Sequence, residues 1–149
     1  MRLRLQTDYA LRALMCLAVN TERRVMISEI AEQQSISKNH LIKVIHRLTG
    51  LGFINSQPGR SGGLWLSRPA AQINIGDLIR QLEADSVFLD CFEGGAGRCR
   101  LIPQCQLKAV LADALDAFYA VLDRFTLAQV TSRPDELRAL LAFAGTDKR

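Results

Sequence analysis

Ser28-Glu29-Ile30-Ala31-Glu32-Gln33-Gln34-Ser35-Ile36-Ser37-Lys38-Asn39-His40-Leu41-Ile42-Lys43-Val44-Ile45-His46-Arg47-Leu48 is the stretch that decides the fold. Ser28 is a helix-capping residue followed by apolar Ile30 and Ala31, which predicts a short helix ending around Gln34. Ser35 and Ile36 make the turn, and Ser37 caps a second helix. On that helix Leu41, Val44, Ile45 and Leu48 share one face, while Lys38, Asn39, Lys43, His46 and Arg47 point elsewhere until Gly50 and Gly52 stop it. Two helices joined by so short a turn, the second with a polar and basic outer face, form a helix-turn-helix pattern, in which the second helix lies in a major groove.

The flanks extend the pattern. Downstream, Phe53-Ile54-Asn55 and Leu64-Trp65-Leu66 read as two strands around the turn Gln57-Pro58-Gly59-Arg60-Ser61-Gly62-Gly63, a hairpin wing. Its tip would bring the Arg60 cation and the backbone N–H groups of Ser61 and Gly62 beside phosphates or a minor groove. The candidate DNA contacts are therefore Ser28 on phosphate, Lys38, Asn39, His40 and Lys43 on the recognition helix, and Arg60, Ser61 and Gly62 at the wing. The competing reading is an ordinary solvated helix face. Upstream, Thr7 is a good cap for a first helix through Ala10, Leu14, Leu17 and Ala18 to Asn20; beyond the wing, Ile75 to Glu83 reads as a further helix.

Composition agrees with a mainly α chain. In 149 residues aromatics are only 6%, and 10 Gly with 4 Pro are too few for a disordered or collagen-like polymer. The longest apolar run, Ala13 to Val19, is far short of the ~18 residues that span a bilayer, and Asp8 and Arg12 interrupt any signal-like pattern, so a cytoplasmic protein is expected. The net charge of +4 is asymmetric: residues 1–80 carry 11 Lys/Arg against 5 Asp/Glu, net +6, and residues 81–149 carry 8 against 10, net −2. Excess positive charge at one end suits a polyanion, and nucleic acid is the first candidate. No Ser/His/Asp set, phosphate loop or paired acid and base is present, so no enzyme is expected.

The second half holds two further features. From near Cys105, Leu107, Leu111, Ala114, Phe118, Val121 and Phe125 form a heptad-type seam, widened by Val110, Leu115 and Leu122. One chain offers no second long helix to cover it, which predicts a homodimer, with intramolecular packing as the alternative. Cys91, Cys99 and Cys105 cluster within fifteen residues on a loop carrying Gly94, Gly95, Ala96 and Gly97, while Cys16 sits in an apolar helix as an inert thiol. A cytosolic disulfide would strand one thiol, and zinc usually shows a CxxC knuckle that is absent. Three soft thiolates on a glycine-rich loop suit an iron-sulfur cluster, with zinc and a thiol switch as the other readings. The expected organisation is a winged helix-turn-helix domain over 1–80, a cysteine-bearing loop over 81–104, a long dimerisation helix over 105–130, and a C-terminal helix and tail over 131–149.

Thr7-Asp8-Tyr9-Ala10-Leu11-Arg12-Ala13-Leu14, Ser37-Lys38-Asn39-His40-Leu41, Gly59-Arg60-Ser61-Gly62-Gly63-Leu64 and three cysteines ahead of a long helix resemble the winged-helix iron-sulfur regulators over nearly the whole chain. Ile102-Pro103-Gln104-Cys105-Gln106-Leu107-Lys108 and Phe125-Thr126-Leu127-Ala128 resemble the nitric-oxide-responsive repressor branch; Lys108 stands where another, iron-sulfur-responsive branch carries a histidine ligand. The resemblance implies a homodimeric repressor of operator DNA. Its cluster, [4Fe-4S] in preference to [2Fe-2S], would be held by Cys91, Cys99 and Cys105 with Asp8 of the opposite subunit as fourth ligand, and nitric oxide would be the signal. The plainer reading of Asp8 is a helix N-terminal carboxylate paired with Arg12 at i+4. An iron-responsive regulator and a small electron-transfer protein are the rival readings.

Overall fold

The computed structural model describes residues 3–59, 61–89, 91–92 and 99–143. Helix α1 (Leu5–Val19) buries Ala10, Ala13, Leu14 and Leu17 along one stripe. It starts at Leu5 after Arg4, ahead of the cap expected at Thr7. Thr7 is 1% exposed, and its hydroxyl donates to the carboxylate of Glu83 rather than capping its own helix. Helix α2 (Ile27–Gln33) likewise begins just before Ser28, with Met26 in the capping position and no side-chain cap. The cause is the preceding residue: Val25 exchanges backbone hydrogen bonds with Leu64 at 3.1 and 2.9 Å, so the chain leaves an extended pairing and enters the helix at once.

Helix α3 (Lys38–Gly50) turns Leu41, Val44, Ile45 and Leu48 into the core as the spacing required, and Ser37 is its N-terminal boundary residue. Strands β1 (Ile54–Gln57) and β2 (Gly63–Leu66) pair antiparallel, with Ile54 opposite Leu66 and Gln57 opposite Gly63. Phe53, Ile54 and Leu64 are buried against α1 and α3, each contributing on the order of 1.5–3 kcal/mol by leaving water. The chain is mostly helical with one small two-stranded sheet, the winged helix-turn-helix expected from the sequence. Among the described residues, no helix is long and apolar enough to cross a membrane.

Helix α4 (Ile75–Leu82) is capped by the Asn74 side chain, which accepts from the Asp77 amide at 3.0 Å. Helix α5 (Gln106–Leu122) is shorter than the 105–130 span expected of it, and Phe125 lies in a turn outside it. Tertiary contacts override the heptad pattern there. Asp123 forms a two-pronged ion pair with Arg80 at 2.6 Å on each oxygen, the Phe125 carbonyl accepts from the Ile75 amide at 2.9 Å, and the Leu127 amide donates to the Ile73 carbonyl at 2.8 Å. Gly76 makes room for this return, since a Cβ there would lie 1.9 Å from the Asp123 carboxylate. A Thr126/Gln129 capping box then starts α6 (Leu127–Val130), and Leu127 is fully buried. Helix α7 (Pro134–Phe143) folds back on α1 and α2, where the Arg138 guanidinium donates to the Val19 carbonyl.

Glu83, at the end of α4, ties the two ends of this arrangement together. Its side chain is 9% exposed and accepts from the Arg4 amide at 3.0 Å, the Arg4 guanidinium at 3.1 Å and the Thr7 hydroxyl. Burial works against its charge, but the hydrogen bonds from Thr7, the Arg4 amide and Ser86, with the Arg4 charge, hold its carboxyl below the usual glutamate range. A lowered native value means this stabilisation is complete above the unfolded glutamate pKa of about 4.3 and is lost as pH falls through the lower native value. Glu83→Ala is expected to destabilise the chain by about 1–3 kcal/mol at neutral pH, with the deficit shrinking under acid, as measured by urea unfolding at a series of pH values.

Candidate nucleic-acid interface and cysteine segment

The turn between α2 and α3 places the candidate DNA face. Ser35 adopts φ +52°, its amide donates to the Glu32 carbonyl at 3.2 Å, and the Ile36 amide donates to the Ala31 carbonyl at 2.9 Å, while the Ile36 side chain is 5% exposed and pins the turn to the core. With one face of α3 buried, Lys38, Asn39, His40 and Lys43 are all exposed, and Ser28 is exposed on the first turn of α2. No side chain caps α3 and no acidic residue lies in its first turn, so its N-terminal N–H groups and positive dipole end are open to an anion. Among the described residues no carboxylate pairs with Lys38 or Lys43.

The wing is braced by a residue that sequence reasoning did not single out. The Arg24 guanidinium stacks 4.4 Å from the Trp65 ring centroid, donates to the Gln57 side chain and reaches the Ser61 carbonyl at 3.3 Å. Its neighbour Arg23 pairs with Glu29, whose carboxyl this hydrogen bond holds below its ordinary range. The adjacent Arg23-Arg24 pair was visible in the chain, but nothing local links Arg24 to an indole 41 positions on. Ser61 is exposed, whereas Gly62 is buried and its amide donates to the Gly59 carbonyl at 3.0 Å. Gly62 therefore shapes the tip and offers no open donor: a Cβ there would lie 2.1 Å from the Gln57 carbonyl oxygen. Arg60 lies outside the described residues.

Cys91 and Cys105 are half-buried and Cys99 is exposed; all three are unbridged, and Cys105 directly precedes α5. Residues 93–98, which join the first two, lie outside the described residues. Among the described residues no three His, Cys, Asp or Glu side chains gather into a metal site. Asp8 sits in the first turn of α1 with its carboxylate 2.9 Å from Arg12 at i+4, the plainer of its two expected roles within one chain. By donor chemistry the set fits an iron-sulfur cluster: three unbridged soft thiols on one segment, with a hard carboxylate oxygen elsewhere on the surface. Beside the segment lies a cleft of about 500 Å³, lined by Leu3, Phe88, Leu89, Phe92, Leu111 and Phe118 among others.

The expected seam on α5 is divided between two faces. Tyr119 and Leu122 pack against the core, while Leu107, Val110 and Val121 are 63, 61 and 52% exposed, an apolar row left uncovered among the described residues. Cys16 is set apart from the other thiols. Burial, reinforced by the charge of Glu29 and opposed by that of Arg23, pushes its pKa up to about 11. Its Sγ atom lies 3.6 Å from the side-chain oxygen of Gln33.

A winged helix-turn-helix whose second helix carries no carboxylate is the architecture of DNA-binding transcriptional regulators. The chain belongs to the Rrf2 family, whose model, described as an iron-dependent transcriptional regulator, matches residues 3–133. It is similar to the HTH-type transcriptional regulator NsrR of Oceanobacillus iheyensis, 45% identical over 142 residues covering 95% of this chain and 97% of the relative. NsrR of Bacillus subtilis is 42% identical with the same two coverages. Among solved structures, T. potens IscR is 28% identical with a TM-score of 0.72, covering 92% of this chain and 90% of that one. The oxidized form of Staphylococcus aureus CymR is 28% identical with a TM-score of 0.69, covering 88 and 96%.

This geometry yields two expected outcomes. Gly62→Ala is expected to weaken binding to duplex DNA by about tenfold, roughly 1.4 kcal/mol, with an unchanged helical circular dichroism spectrum, because only the wing tip must open. In metal-free protein at pH 8, iodoacetamide is expected to modify Cys91, Cys99 and Cys105 readily and Cys16 only after denaturation, as counted by mass spectrometry.

Proposed function

We propose that this chain is an iron-sulfur repressor that binds operator DNA as a homodimer in the cytoplasm and releases it when nitric oxide attacks the cluster. The observation that carries the reading is Cys105 standing at the head of α5, the helix whose uncovered apolar row offers the dimer contact. One rigid element then joins a thiolate ligand to the surface that sets the spacing of two DNA-binding heads. The similarity to regulators named NsrR supports the nitric-oxide branch. Lys108 supports it too, because its ammonium offers no lone pair for iron.

In this reading Cys91, Cys99 and Cys105 hold the cluster, [4Fe-4S] in preference to [2Fe-2S], and Asp8 of the other subunit is the fourth donor. When bound, the cluster supplies irons open to nitric oxide. Asp8 is the weakest of the four donors, since its hard oxygen matches iron in a sulfide lattice less well than thiolate does. Leu107, Val110 and Val121 bury one another across the dimer, which holds two α3 helices at half-sites about 34 Å apart on one face of the duplex. Lys38, Asn39, His40 and Lys43 meet bases and phosphates, Ser28 meets a phosphate, and Arg60 and Ser61 reach from the wing. With Cys91, Cys99 and Cys105 unligated, the segment ahead of α5 would no longer be held, and a small rotation of either head would break simultaneous contact.

The test is anaerobic purification, then titration with duplex DNA selected in vitro for binding to the protein. The protein is expected to be brown, to contain iron and sulfide, to lose both in Cys91→Ser, Cys99→Ser or Cys105→Ser, and to release DNA on exposure to nitric oxide. A colourless zinc protein overturns the cluster. Release by iron starvation alone assigns an iron-responsive regulator, and a reversible redox couple with no DNA binding assigns an electron-transfer protein.

A further inference from the structure

The first residues after α4 are held from two sides. Glu83 is tied to Arg4 and Thr7 at the head of α1. Two residues away on either side, a single guanidinium from the recognition helix takes hold. Arg47 Nη2 donates to the Gln81 carbonyl at 3.3 Å and to the Asp85 carboxylate at 3.1 Å. Gln81 lies in the last turn of α4, where carbonyls lack an intrahelical partner, and Asp85 opens the segment that reaches Cys91 six residues later. Arg47 itself is in the last turn of α3, on the same rigid helix as Lys38 and Lys43.

This contact joins the cysteine segment to the DNA-reading helix within one head, separately from the α5 route between heads. A guanidinium suits the task, since its rigid fork reaches a backbone carbonyl and a carboxylate together only while both keep their present positions. The two acceptors differ in attachment. The Gln81 carbonyl belongs to a helix packed through Leu78, Ile79 and Leu82, whereas the Asp85 side chain is 75% exposed and sits on irregular chain six residues ahead of Cys91. A displacement of that segment therefore removes Asp85 and leaves Arg47 on Gln81 alone, loosening the C-terminal end of α3.

We propose that Arg47 is a positioning residue for DNA recognition, through which the Asp85 end of the cysteine segment sets the placement of α3. The proposal rests on the cluster-regulated function and adds the route by which the segment's state reaches the recognition helix.

The experiment has two arms. In metal-free protein, hydrogen exchange measured by mass spectrometry is expected to show Asp85→Asn speeding amide exchange in the last turn of α3 by about two- to fivefold, the scale of an exposed ion pair. Arg47→Gln, which also removes the Gln81 contact, is expected to do at least as much, and the double variant no more than Arg47→Gln alone. In cluster-loaded protein, Asp85→Asn is expected to lower the ratio of loaded to cluster-free DNA affinity by a similar factor while iron and sulfide contents stay at wild-type levels. Unchanged exchange in α3, additive effects of the two substitutions, or a wild-type affinity ratio in Asp85→Asn each overturn the proposal. Absence of iron and sulfide from the wild-type protein overturns the cluster reading instead, and the metal-free arm then still decides whether Arg47 couples the two elements.

Discussion

A carboxylate with 9% of its side chain exposed persists in a fold only if its lone pairs are satisfied, and Glu83 meets that condition by drawing in Arg4 and Thr7 from the opposite end of the winged domain. The remaining architecture depends on this junction. It decides where α1 begins, fixes the end of α4 against it, and so sets the point from which the cysteine segment departs. Arg47 seizes the same short stretch from the recognition helix. Three elements, the helix bearing Asp8, helix α3 and the segment bearing the thiols, thus meet within residues 81–85.

The charge of the front half has a different meaning in the fold than in the composition. Of its cations, Arg4, Arg12, Arg23, Arg47 and Arg80 each pair with a carboxylate, and Arg24 lies against Trp65. The arginines mostly fasten elements together, which suits a planar fork with several donors. Lys38 and Lys43, compact point charges, stand exposed on the open side of α3. Among the described residues, the cations of the front half without a carboxylate partner are accordingly fewer than its eleven Lys/Arg suggest, and two of them stand on the exposed first turns of α3.

Much of the winged domain was legible along the chain because its signals are local. The spacing of Leu41, Val44, Ile45 and Leu48 and the glycine-rich turn before Leu64 determine helix and hairpin whatever surrounds them. The boundaries that differ from the sequence expectation have one physical origin. Thr7, Ser28 and Phe125 carry local signals, but a hydroxyl recruited by Glu83, a helix start set by the Val25 to Leu64 bridge and a turn drawn in by Arg80 and Ile75 each answer to a partner remote in sequence. Gly62 is the same case at the site: its place at the wing tip was readable, but that its amide is engaged internally depends on how the turn closes.

The sequence by itself determined the class of fold, the polar face of the recognition helix, the surplus of apolar residues on α5 and the grouping of three thiols, because periodicity and composition act over one or two turns of chain. Tertiary structure alone decided which half of the α5 stripe faces its own core, which arginines are tied and which lysines stand open, and that Glu83 and Arg47 hold one junction from two sides. Those outcomes depend on side chains brought together from positions 34 to 79 residues apart, and no pattern in the linear chain encodes such a meeting before the core has packed.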